Sequence, residues 1–285
     1  MAVGRNGIII SVFSTSSGNG KTITAINLAA GLSHEGYAVC LVDLDLQFGD
    51  ICQYLKLEPT HTISEAQRDF QEGKPKFNVI DYLTEYHASN DSGDAVAFSV
   101  MAPPKKVFDA YRIDVAVVEE LIRQMNYFEF IILDLSAVFS ALNLAMLDMS
   151  TIINYVGVVD FLPSVKNFKI GYDTLIRFEY EESKIRLVEN RANSQKLISG
   201  NDVERLIGEK FFHRLPNDFR SVSGSIREGK PLMFAAPDSD LTKSFTSLAR
   251  KYTMHQGIAI AGVLEQPKKE AEQNFFGKII TRFFS

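Results

Sequence analysis

Cysteine is scarce in this chain and histidine is scattered. The two cysteines, Cys40 and Cys52, have neither metal-site spacing nor the density of a secreted disulfide scaffold, and His34, His61, His87, His213 and His255 form no cluster. An excess of positive charge is also missing, since 30 Lys and Arg stand against 35 Asp and Glu for a net charge of −5. No global basic field therefore draws the chain to nucleic acid, although a local basic patch is compatible with this balance. No apolar stretch reaches the length of a transmembrane helix. A signal peptide is not visible either, because Met1-Ala2-Val3-Gly4-Arg5-Asn6 leads into a short strand-like run rather than a basic segment followed by a longer apolar one. These absences lead us to expect a cytosolic protein free of metal clusters.

What the chain does have is enough apolar material, 46% of 285 residues, to bury one large α/β core. Short apolar runs at 8–13, 38–42, 97–101, 130–133, 152–159, 185–188 and 211–215 alternate with helical patterns at 21–35, 112–126, 140–149, 164–181, 201–209, 219–228 and 240–255. Such alternation argues for parallel strands joined by right-handed helical crossovers. Several runs are apolar almost throughout, as in strands covered on both faces. The expected fold is α/β and doubly wound, a mostly parallel sheet of about seven or eight strands flanked by helices. Ligands of such sheets sit at the carboxyl ends of the strands. The polar segment 86–95 reads as a loop.

The first run, Gly7-Ile8-Ile9-Ile10-Ser11-Val12-Phe13, feeds into Ser14-Thr15-Ser16-Ser17-Gly18-Asn19-Gly20-Lys21-Thr22 and then into an Ala/Leu-rich helical stretch. This reads as the phosphate-binding loop of a P-loop NTPase. Glycines let backbone N–H groups approach phosphate oxygens, the helix N-terminus adds positive potential, Lys21 can reach β/γ phosphates and the Thr22 hydroxyl can ligate Mg²⁺. The general pattern is only half intact, because its first glycine falls at Thr15. A Gly/Ser turn would leave the surrounding context without a role: a strand before, a helix after, and acids at two further strand ends, Asp43 and Asp45 after 38–42 and Asp134 after 130–133. Strand-end aspartates often just cap turns. Beside a phosphate loop, they can also hold Mg²⁺ through water and orient an attacking water.

The run Ser16-Ser17-Gly18-Asn19-Gly20-Lys21-Thr22-Ile23-Thr24-Ala25-Ile26-Asn27-Leu28-Ala29, followed by Val42-Asp43-Leu44-Asp45-Leu46-Gln47-Phe48-Gly49-Asp50, resembles the ParA/MinD family of P-loop ATPases. The acidic string most resembles the CpaE/TadZ branch, which positions pilus-assembly machinery. Similarity continues through Ala102-Pro103-Pro104, Asp134-Leu135-Ser136 and Pro216-Asn217-Asp218-Phe219-Arg220-Ser221-Val222, with Gly229-Lys230-Pro231-Leu232. The resemblance implies ATP and Mg²⁺ as ligands, with Ser17, Gly18, Asn19, Gly20, Lys21, Thr22 and Ile23 around the nucleotide. Thr22, Asp43 and Asp134 would serve the ion, Asp45 would orient or activate the hydrolytic water, and Asn190 and Pro216 would contact adenine. It also implies a homodimer in the ATP state that recruits protein cargo. One departure stands out, for relatives carry a signature lysine where this chain has Ser16 and a glycine where it has Ser17. Serine cannot supply that charge to the transition state. The expectation is a slow ATPase acting as a switch, unless a nearby Lys or Arg substitutes. An inactive nucleotide-binding scaffold is the second reading. A DNA-partition ATPase is the third, disfavoured by the acidic balance, and no acceptor constellation supports a metabolic kinase.

We divide the chain into an ATPase domain at 1–262, a polar linker at 263–274 and a terminal amphipathic segment at 275–285. In that segment Phe275, Phe276, Ile279, Ile280, Phe283 and Phe284 share one helical face, and Lys278 and Arg282 lie on the other. A short basic amphipathic helix suits the surface of an anionic bilayer, though it could also dock on its own domain or on a dimer partner. MinD-like relatives resemble the chain here too. The expected location is cytoplasmic, peripheral on the inner face of the cell membrane.

Overall fold

The computed structural model describes residues 7–90, 93–193 and 198–253. The expected domain end at 262, the linker 263–274 and the membrane-facing residues Phe275, Phe276, Lys278, Ile279, Ile280, Arg282, Phe283 and Phe284 lie outside them. The first half of the fold runs β1 (Ile8–Phe13), α1 (Lys21–His34), β2 (Val39–Leu44), α2 (Ile51–Leu55), α3 (Ile63–Gln71), β3 (Thr84–Ser89), β4 (Ala95–Met101), α4 (Val107–Ala110), α5 (Val115–Gln124) and β5 (Phe130–Leu135). The second half runs α6 (Ala141–Met149), β6 (Ile152–Val158), α7 (Leu162–Arg177), β7 (Ile185–Asn190), α8 (Gly200–Ile207), β8 (His213–Arg214), α9 (Phe219–Glu228), α10 (Leu232–Ala235) and α11 (Asp240–Thr253).

Eight strands form one sheet in the order β3-β4-β2-β5-β1-β6-β7-β8. All neighbours are parallel except β3 and β4. The two-residue period of a strand divides its side chains between two cores. In β5, Ile131, Leu133 and Leu135 face a core built with α3, α5, α6, α7 and α8. Phe130 and Ile132 face the other, built with α1, α2, α10 and α11. By the same alternation Asp134 falls on the face of α1, and so does its register partner Asp43 in β2. Both carboxylates therefore lie on the α1 face of the sheet, and Asp134 bonds Thr22 in the first turn of that helix.

The segment 86–95 corrects the sequence reading in part, because residues 86–89 belong to β3 and Ala95 opens β4, which pairs with it as a hairpin. Tyr86 of β3 is buried against Phe98 of β4, with ring centroids 4.9 Å apart, and its hydroxyl donates to the Gly229 carbonyl at 3.0 Å. The turn closes where the Asn90 N–H donates to the Asp94 carbonyl at 3.0 Å. The expected strand at 211–215 shrinks to the two residues of β8. No described helix is long and apolar enough to cross a membrane.

Candidate nucleotide-binding site

The loop between β1 and α1 is held from inside. The buried Ser14 hydroxyl donates to the Ser16 carbonyl at 3.2 Å, and it accepts from the Ser16 N–H at 3.3 Å and from Asn19 Nδ2 at 2.8 Å. Thr15 adds an outer tie through a hydroxyl contact with Tyr155 of β6 at 2.8 Å. Gly18 and Gly20 both lie in the left-handed region, at φ 75° and 84°. At Gly20 a side chain is excluded twice over, since a Cβ there would overlap the Asn190 amide. That close approach lets Asn190 Nδ2 donate to the Asn19 carbonyl at 2.9 Å, so β7 braces the loop. The helix α1 then starts at Lys21, presenting N–H groups that have no partner within the helix toward the loop's concave side.

Beneath the loop lie the carboxylates. Thr22 Oγ1 donates to Asp134 Oδ2 at 2.7 Å. The other oxygen, Asp134 Oδ1, is buried without a hydrogen-bond partner among the described residues. Burial pushes Asp134 up to about 7, even though the Thr22 hydroxyl and the Lys21 charge work the other way. Asp43 is fully buried, and burial followed by the Asp134 charge raises it well above the usual carboxylate range. Its two oxygens accept the N–H groups of Asp45 and Ile51, each at 3.2 Å. Asp43 thereby fixes the chain that presents Asp45.

Above them opens a cleft of about 490 Å³. Of the sequence-predicted residues, Ser17, Gly18, Gly20, Lys21, Thr22, Ile23, Asp45, Asn190 and Pro216 line it. Asn19 turns its side chain down to Ser14, while Asp43 and Asp134 lie below the floor. Sequence reasoning did not single out Phe48, Asp50, Tyr54, Arg191 and Phe219 as cleft residues. Phe48, Asp50 and Phe219 stand inside strings already quoted, and Arg191 follows Asn190 directly. Adjacency was thus the available signal. Tyr54 carries no sequence signal, because it reaches the cleft only through the packing of α2. Two other depressions, about 530 Å³ along α11 and about 680 Å³ beside β3 and β4, contain neither the loop nor the strand-end acids.

The arrangement fits a Mg²⁺ ion. A buried carboxylate with an unpartnered oxygen, bonded to a hydroxyl at the start of a phosphate loop, is a group whose charged form a cation would stabilise. Among the described residues no group of three or more His, Cys, Asp or Glu side chains could hold an ion by itself. Mg²⁺ keeps several waters and takes phosphate oxygens, so one or two protein ligands are the usual number for it.

A mostly parallel sheet with a phosphate loop after its first strand, strand-end acids beside it and a cleft above defines the chain as a P-loop α/β domain. Residues 10–233 match the family model described as the CobQ/CobB/MinD/ParA nucleotide binding domain, and the chain belongs to that family. No curated protein matches it by sequence. Among solved structures it resembles a ParA family ATPase from Chlorobium tepidum TLS at TM-score 0.75 and 22% identity, covering 86% of this chain and 98% of that one. The cell division ATPase MinD of Pyrococcus furiosus is similar at TM-score 0.70 and 23% identity, covering 87% and 98%. The septum site-determining protein MinD of Pyrococcus horikoshii OT3, complexed with Mg-ADP, aligns at TM-score 0.73 and 19% identity, covering 89% and 98%.

Proposed function

We propose that the chain binds ATP with Mg²⁺ in this cleft, hydrolyses it slowly to ADP and phosphate, and uses the nucleotide to switch a ParA/MinD-type positioning protein. One observation carries the reading: the phosphate loop, the Thr22–Asp134 contact and the cleft reaching Asn190 and Pro216 meet at the carboxyl ends of the strands. Lys21 would face the β/γ phosphates, and Thr22 with Asp134 would hold the ion, with Asp43 behind them. Asp45 orients the attacking water from the position that Asp43 fixes. The ion, when bound, neutralises charge on the transferred phosphoryl group. Loss of a trans-acting cation at Ser16 lowers turnover by on the order of 10³ in sites of this kind. Ser16 is also what favours the second reading, a nucleotide-gated scaffold without catalysis.

Self-association in the ATP state is supported by exposed apolar side chains around the site. Phe48, Phe108, Val138, Phe161, Leu162 and Phe219 follow the carboxyl ends of β2, β4, β5, β6 and β8 and are all at least half exposed. Their segments all leave the carboxyl-end rim of the sheet, the side on which the cleft opens. We assign the terminal segment 275–285 to an anionic membrane surface, where two tails on one dimer gain from effective concentration. The Asp43-to-Asp50 string supports a CpaE/TadZ-like role, placing pilus or other envelope machinery at the cytoplasmic face of the membrane.

Phosphate release with Mg²⁺-ATP, with and without anionic liposomes, tests the reading in wild type, Lys21→Ala and Asp45→Ala. Turnover that requires both residues supports the ATPase. Retained ATP binding without turnover selects the scaffold, and no ATP binding sinks both. Liposome binding that survives deletion of 275–285 would remove the membrane role of that segment.

A further inference from the structure

The phosphate loop brings a single cation, Lys21, and serines stand at 16 and 17. Among the described residues, the cleft is lined by three acids, Asp45, Asp50 and Asp218, and by two cations, Lys21 and Arg191. Asp43 and Asp134 add further carboxylates beneath. A polyphosphate carries several negative charges, of which a bound Mg²⁺ would offset only part, so a second protein cation would add to what Lys21 and the helix N-terminus provide. Arg191 is the side chain placed to do so.

Its placement is built rather than incidental. Arg191 is the first residue after β7, and its backbone lies in the left-handed region at φ 54°. Residues with a Cβ adopt that conformation infrequently. The turn is fixed by the Arg191 N–H, which donates to Asn190 Oδ1 at 2.9 Å, while Asn190 Nδ2 clamps the Asn19 carbonyl. From this turn the guanidinium reaches back over the loop, with Nη2 at 3.4 Å from the Gly18 carbonyl oxygen. A guanidinium carries five donors in a planar fork, enough to serve its protein contacts and a phosphate oxygen together.

We propose that Arg191 is the second cation of the site, contacting the phosphate chain of the nucleotide from within the same chain and supplying charge that the serines of the loop do not. The proposal rests on the reading of the cleft as a nucleotide site. The alternatives it must beat are a brace for the loop, through Gly18, and a contact to the base.

Calorimetric titration of the full chain with adenosine, AMP, ADP and ATP in Mg²⁺ separates them, using Arg191→Gln, Arg191→Lys and Arg191→Ala. Gln keeps a donor for the Gly18 carbonyl and drops the charge. We expect Arg191→Gln to bind ADP and ATP about 10- to 100-fold more weakly, with the loss growing as phosphates are added and adenosine unaffected. Arg191→Lys should stay within a few-fold of wild type. An Arg191→Gln variant that binds all four ligands normally overturns the proposal, leaving a brace at most. Equal losses across the four ligands overturn it in favour of a base contact. If the wild type binds none of them, the nucleotide reading itself fails and the assignment of Arg191 falls with it.

Discussion

Asp134 is 1% exposed, with one oxygen on Thr22 and the other without a partner among the described residues. Its carboxyl rises from an ordinary value of 3.8 to about 7 because it is buried. The folded chain thus binds this proton more tightly than the unfolded chain does. The resulting stability is fully present below about pH 4 and is lost as pH rises through about 7. Asp134→Asn should therefore stabilise the ligand-free protein at pH 8 by on the order of 2 to 4 kcal/mol, an advantage that fades toward pH 4. The same change should weaken Mg²⁺-dependent ATP binding at least about 10-fold, since it removes the charge that the ion would meet. Urea unfolding at pH 5, 6.5 and 8, with ATP titrations with and without Mg²⁺, checks both halves. A variant less stable than wild type at pH 8 would contradict the account. Gly49 makes a second residue-scale case, because a Cβ there would overlap the Asp43 carboxylate. Gly49→Ala must displace the loop after β2, and with it Asp45. We expect a stability loss of about 1–3 kcal/mol in denaturant melts, and a fall in turnover larger than the fall in ATP affinity.

Helix α1 is buried from Thr24 through Leu32, so it has no solvated face and needs internal partners for its polar side chains. Asn27 meets that need. Its Nδ2 donates to the Ile23 carbonyl and its Oδ1 accepts the Leu232 N–H of α10, both at 2.8 Å. Asn27→Leu keeps the volume roughly but strands the Leu232 N–H in a buried place. It should cost about 1–3 kcal/mol in urea midpoint analysis, and a neutral result would mean α10 re-pairs elsewhere. This bond between two helices far apart in sequence illustrates what a linear reading loses. The parallel strands were legible because burial on both faces makes them continuous apolar runs, as in β5, buried at all six positions. The edge strand β3 was not, since only Tyr86 of its six residues is buried and its partner is supplied by the hairpin. In the site, the loop and the strand-end acids were legible because spacing within a strand–loop–helix unit defines them. Asn190 was reached only through family resemblance, and Tyr54 was missed, because their part in the cleft depends on how β7 and α2 pack against the loop. Ser14 was read as the first residue of the loop and proved to be its hub.

Along the sheet, β4 and β6 lie on opposite sides of β1, four strands apart in the order β4-β2-β5-β1-β6. At about 4.8 Å per strand they are separated by roughly 19 Å, with the phosphate loop between them. Phe108 follows β4 and is 65% exposed, while Phe161 follows β6 and is 50% exposed. A partner that covered both would also cover the mouth of the cleft, so nucleotide occupancy and association would be linked through one surface. A stable interface of ordinary size removes about 1,200–2,000 Å² from water, enough to span this rim. Sedimentation velocity should then show a dimer of the wild-type chain with Mg²⁺-ATP and a monomer without nucleotide. Lys21→Ala should stay monomeric because it does not hold the phosphates. The combined change Phe108→Asp and Phe161→Asp should also stay monomeric, yet bind ATP within a few-fold of wild type, because neither side chain lines the cleft. If that variant still dimerises in ATP, the apolar rim serves something other than a second copy, and the switch must be sought on another face of the sheet.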